Sequence, residues 1–100
     1  MIKNLTPHEV NINGVIFPPS GIIARVSQKN IVIGEFDEIT LIRALYGDVV
    51  DLPEYKYDEL LIVSAMVRTA LPDRYDLASP GDLIRDEVGS IIGCKNLIIN

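Results

Sequence analysis

Apolar residues in this chain come in stretches too short to make anything but strands. Val10–Ile12, Val15–Phe17, Ile22–Val26, Ile31–Ile33, Leu60–Val63, Ile91–Cys94 and Leu97–Ile99 each hold three to five residues. Nearly all are closed by glycine, proline or polar pairs, whereas a helix needs its apolar period sustained over roughly ten residues or more. Ile and Val supply 24 of the 100 residues, and their stiff β-branched side chains favour extended backbone. No stretch approaches the ~20 apolar residues that span a bilayer. One hundred residues make a single domain over 1–100, with no room for a second core of ordinary size.

Local signals place the elements. Leu5-Thr6-Pro7-His8-Glu9-Val10 reads as a helix start, with Thr6 as N-cap and Glu9 as the reciprocal acid. The period-two pattern Val10-Asn11-Ile12 limits that helix to a single turn. Asn13-Gly14, between two apolar stretches, suits the type I′ turn of a β-hairpin. Lys29-Asn30 reads as a polar break, and Gly34 as the end of a third stretch. Phe36–Tyr46 fits both a helical face (Phe36, Ile39, Ile42, Tyr46) and a strand face (Ile39, Leu41, Leu45), and its β-branched residues incline it to strand. Leu60–Val63 has the continuous apolar character of a strand covered on both faces. Ser64 stands as N-cap to a short helix over 64–71, stopped by Pro72. Asp86-Glu87-Val88-Gly89 makes a second hairpin turn. The expectation is a mainly β domain: a small, mainly antiparallel sheet or barrel of about seven short strands, with one short helix.

Charge and chemistry narrow the function. Fourteen acidic against nine basic side chains give a net charge of −5, which disfavours binding to a nucleic acid polymer. One Cys and one His exclude an internal disulfide and make a zinc site improbable. The opening Met1-Ile2-Lys3-Asn4 is not that of a signal peptide, so a soluble, cytoplasmic setting is expected and the Asn4-Leu5-Thr6 glycosylation triplet has no role. Glu35, Asp37 and Glu38 lack calcium-loop spacing and read as a solvated face. No phosphate loop, dinucleotide fingerprint or nucleophile elbow occurs, so the chain is expected not to be an enzyme and to need no cofactor or metal. Cys94 reads as a buried strand residue rather than a nucleophile.

The arginines are the distinctive feature. Arg25, Arg43, Arg68, Arg74 and Arg85 all fall within or beside apolar elements, and a guanidinium matches phosphate or carboxylate with a planar fork of donors. Gathered beside Ser64, Arg25, Arg68, Arg74 and Arg85 would form an anion site. Asp76 in the polar loop Pro72–Gly81 can take a ribose hydroxyl, and Tyr75 and His8 can stack on a base. A ligand-dedicated arginine predicts that Arg68→Ala or Arg74→Ala abolishes binding and leaves the thermal midpoint nearly unchanged. The alternative for each arginine is a solvated charge on the polar side of its element.

Asn4-Leu5-Thr6-Pro7-His8-Glu9-Val10, Pro18-Pro19-Ser20-Gly21, Ile62-Val63-Ser64 and Asp86–Cys94 together resemble a group of short proteins from tailed phages and bacterial genomes. The resemblance covers nearly the whole chain and implies a phage or prophage origin. Among phage accessory proteins of this size are anti-defence proteins that sequester nucleotide immune signals, such as inhibitors of the Thoeris defence; the present chain is similar to them in size and implied origin. The expected function is therefore sequestration of a phosphorylated, nucleotide-like small molecule without turnover. The alternative is a protein-interaction module, a virion component or a direct inhibitor of a host protein. A mean hydropathy of +0.26 in so short a chain also predicts a homo-oligomer.

Overall fold

The computed structural model describes residues 1–100. It is mainly β, with one short helix, and no sheet closes into a barrel. The first sheet combines β1 (Ile2–Asn4), β6 (Leu60–Ile62), β7 (Leu77–Pro80) and β10 (Leu97–Ile99) in the order β1-β6-β7-β10. Pairing is parallel from β1 to β6 and from β6 to β7, and antiparallel from β7 to β10. The central strand β6 is thus flanked on both edges. Leu61, Ile62 and the following Val63 are fully buried, as their unbroken apolar run requires.

The second sheet has the order β3-β2-β9-β8, from β2 (Val10–Ile12), β3 (Val15–Phe17), β8 (Leu83–Arg85) and β9 (Ile91–Cys94). Its hairpin β2–β3 turns through Asn13 and Gly14, with φ of 50° and 88°, the double positive φ that a type I′ turn demands. Parallel contact between β2 and β9 is close. A Cβ at Gly93 would lie 2.9 Å from the Asn11 carbonyl oxygen, so only glycine fits there. Gly89, with φ +87°, supplies the β8–β9 turn.

The third sheet is a two-stranded ribbon of β4 (Arg25–Phe36) and β5 (Ile39–Val50). Strand, not helix, is therefore the state of residues 39–46. Lys29-Asn30 and Gly34 do not interrupt β4, contrary to the sequence expectation. Lys29 and Asn30 face Leu45 and Ala44 across the ladder, and a bulge at Ile33 absorbs Gly34 with its φ of +152°. The ribbon turns through Asp37 and Glu38, both at positive φ without being glycine.

The helix α1 (Ala65–Ala70) begins at Ser64, whose Oγ accepts a hydrogen bond from Val67 N at 3.2 Å. It lays Val67 on a core of Leu5, Ala24, Leu61, Val63 and Leu77. The helical turn expected at Thr6 is absent. Thr6 instead donates from N and Oγ1 to Asn4 Oδ1 (2.9 and 2.7 Å), while Asn4 Nδ2 donates to the His8 and Phe17 carbonyls. The buried Asn4 carboxamide has all four of its hydrogen-bonding capacities filled and shapes the bend itself. No helix is long and apolar enough to cross a membrane.

Candidate functional site

The N-terminal end of β6 organises one of the open concavities of the surface. Leu60 N donates to the Met1 carbonyl and Leu61 N to that of Asp76, both at 2.8 Å, so β1, β6 and the entry to β7 lie side by side. The segment before β6 closes a turn through Glu59 N and the Lys56 carbonyl, and delivers Tyr55, Tyr57, Asp58 and Glu59 to the same place. With Met1, Ile2, Leu60, Tyr75 and Asp76 these enclose an open depression of about 360 Å³. Tyr55, Tyr57 and Tyr75 all present more than half of their surface to solvent.

Two acidic groups beneath the tyrosines differ in their partners. Asp76 is held by a two-pronged contact from Arg74, Nε to Oδ1 and Nη2 to Oδ2, each 2.8 Å. Arg74 Nη2 also donates to the Pro53 carbonyl at 3.1 Å, which ties the tyrosine-bearing segment to β7. The hydrogen bonds from Arg74 hold the Asp76 carboxyl below its ordinary pKa against the opposing effect of burial, and the same contact raises that of Arg74. Glu59 is the opposite case. Its side chain is 8% exposed, and Oε2 lies 3.6 Å from Lys3 Nζ. Its Oε1 is buried and has no hydrogen-bond partner. An acceptor in that state is an opening for a donor supplied from outside the chain.

The other residues singled out from the sequence are dispersed. Arg68 Nε donates to Ser79 Oγ (2.8 Å) and Nη1 to Asn100 Oδ1 (3.2 Å); Asn100 Nδ2 returns to the carbonyls of Arg68, Leu71 and Arg74, closing the end of α1. Arg85 lies in the second sheet and donates to the Gly89 carbonyl across its own hairpin turn. Arg25 sits exposed at the base of the ribbon, and His8 lies exposed in the bend that Asn4 holds. Ser64 is engaged as helix cap. Of the residues singled out from the sequence, the structure thus places Tyr75 and Asp76 in the lining, with Arg74 behind them as the partner of Asp76, and leaves Arg25, Arg68, Arg85, Ser64 and His8 outside it. Tyr55, Tyr57, Asp58 and Glu59 are not among the residues singled out from the sequence. Three tyrosines in 55–75 flanking acidic side chains were the available signal.

A second groove of about 310 Å³ runs along the second sheet, lined among others by Val10, Leu83, Ile91 and Cys94. Cys94 is buried there, its Sγ 3.6 Å from the Asn11 carbonyl oxygen. Comparison of the chain with protein-family models, with curated proteins and with solved structures finds no match.

Proposed function

We propose that the chain is a binding protein, not an enzyme, that holds a phosphorylated, nucleotide-like small molecule in the tyrosine-walled depression. The observation that carries this reading is the unpartnered, buried Glu59 Oε1 set among three exposed tyrosine rings. Aromatic faces stack on a base or a comparable flat ring. Glu59 Oε1 accepts from a sugar hydroxyl or a ring N–H. A phosphate would have to be met by Lys3, the partner of Glu59, or by Nη1 of Arg74, which makes no hydrogen bond within the chain; both cations adjoin lining acids and neither lines the depression itself. Asp76, paired to Arg74, positions that arginine instead of taking a ribose itself. Tight binding without turnover is the chemistry of sequestration, and the resemblance to phage proteins makes a nucleotide signal of bacterial immunity the cargo we favour.

Isothermal calorimetry against a panel of nucleoside phosphates and cyclic and linear dinucleotides tests this. The expected result is saturable binding that Tyr57→Ala weakens about tenfold or more, from loss of stacking. Tyr57 is 93% exposed, so its removal leaves the thermal midpoint in place. Absence of binding across the panel, together with a bare mass in native mass spectrometry after exposure to extract of defence-activated bacteria, would overturn the proposal. A second reading, a protein-interaction module, is favoured by the apolar surface of the β4–β5 ribbon.

A further inference from the structure

The chain exposes far more surface than its mass requires. Its accessible area is 7065 Å². A compact protein of 11.1 kDa exposes about 5,700 Å², so the excess is roughly 1,400 Å². The radius of gyration is 16.3 Å, against about 13 Å for a compact 100-residue domain. Much of the difference is the β4–β5 ribbon, about 40 Å of two-stranded sheet. Such a ribbon is marginal alone in water, and this one leaves Ile31, Phe36, Ile39, Leu41 and Leu45 exposed.

Those five residues share one face. Phe36 pairs with Ile39, Gly34 with Leu41, Ile31 with Arg43 and Lys29 with Leu45, and β5 alternates without interruption from 39 to 46. The same face therefore carries an apolar row from the tip, then the cations Arg43 and Lys29. The tip itself is acidic, with Asp37 and Glu38 in the turn, while Glu35, opposite Thr40, lies on the other face. None of these five charged residues belongs to an ion pair within the chain, whose two pairs are Lys3–Glu59 and Arg74–Asp76.

We infer that this ribbon face is the docking surface for a second copy of the chain, packed face to face and antiparallel about a two-fold axis near Gly34–Leu41. Such an axis sets the acidic tip, three residues to one side, against the stretch from Arg43 to Lys29 of the other copy, two to four residues to the opposite side. The charges then complement each other twice, as an isologous interface requires. Gly34 has open space where a Cβ would stand, which lets Leu41 of the two copies approach. The whole-chain excess of roughly 1,400 Å², shared between both ribbon faces and the rest of the surface, is of the same order as the ~800 Å² per partner of a standard interface.

Sedimentation of the full chain at micromolar concentration is expected to give twice the chain mass. Arg43→Glu weakens that dimer by about tenfold or more, and adding Glu38→Lys restores it. Because Cys94 is buried, Leu41→Cys under mild oxidation is expected to yield a disulfide-linked dimer that Ile42→Cys, on the other face, does not. A monomer at these concentrations, an indifferent Arg43→Glu, or cross-linking of the Ile42→Cys variant but not of Leu41→Cys would overturn the inference. Calorimetric binding of nucleotides is read separately, so failure here leaves the ligand site intact.

Discussion

Asp76→Asn isolates what the Arg74 contact contributes to the fold. The substitution keeps the shape of the side chain and removes its charge, so two hydrogen bonds between opposite charges become at best one, from the still-charged guanidinium to a neutral amide oxygen. A hydrogen bond to a charged group contributes about 1.5–3 kcal/mol, and breaking a buried pair by removing one partner costs about 3–5 kcal/mol. Arg74 is 25% exposed and regains some hydration, while Asp76 is 3% exposed, so we expect a loss of about 2–3 kcal/mol. In a domain of this size that lowers the thermal midpoint by about 8–20 °C at neutral pH. The folded-state pKa of Asp76 is depressed. The contribution is therefore complete above the unfolded value near 4 and is lost as pH falls through the folded value. Thermal melts of both proteins from pH 7 downward should show a constant gap to about pH 5 that closes below about pH 4. A gap under about 2 °C at pH 7, or one that persists undiminished to about pH 2, refutes the reasoning. The same contact reverses the sequence expectation for Arg74→Ala, which on this structure lowers the midpoint.

Asn4→Asp keeps the volume of a buried carboxamide but turns its two donors into acceptors facing the His8 and Phe17 carbonyls. A loss of about 3 kcal/mol or more is expected by denaturant melting, and Asn4→Ala should be no worse. Glu38→Gly removes the side-chain penalty at φ 66°, and the stabilisation of about 1 kcal/mol, net of the freedom glycine adds to the unfolded chain, is read in the Arg43→Glu background, where the dimer is already weakened, as slower amide exchange in β4 and β5. Gly14→Ala should cost about 1 kcal/mol because φ is 88° there, although nothing crowds the added methyl group.

What was legible in the sequence were features set by neighbours along the chain. Asn13-Gly14 specifies its own turn, Ser64 its own cap, and the run Leu60–Val63 its own two-sided burial. The partners of strands not joined by a hairpin turn were not legible. Nothing in Ile2-Lys3-Asn4 says that it pairs in parallel with Leu60–Ile62, or that Ile12 meets Cys94, because apolar periodicity fixes a face and not a neighbour. Asn4 misled for a related reason. Thr6-Pro7-His8-Glu9 satisfies every local rule for a helix start, but a buried carboxamide two residues earlier offers Thr6 a partner that no local rule contains. The candidate site failed similarly. The arginines had the right chemistry for phosphate, and most were taken by nearby backbone or side-chain acceptors, while the tyrosines came together only through the β1–β6–β7 arrangement.

That arrangement also orders events during synthesis. β1 must wait for residues 60–62, β7 for residues 97–99, and β2, once paired with β3, for residue 94, so neither four-stranded sheet can be completed until nearly the whole chain has emerged. The β4–β5 ribbon is different, because its ladder closes over a two-residue turn and can form in microseconds. After the short β2–β3 hairpin it is therefore the first extended element finished on the nascent chain, displaying its apolar faces while the core is still unmade. Adjacent ribosomes on one message would hold such ribbons close together before either protein is released, at a local concentration that free monomers in dilute solution never reach.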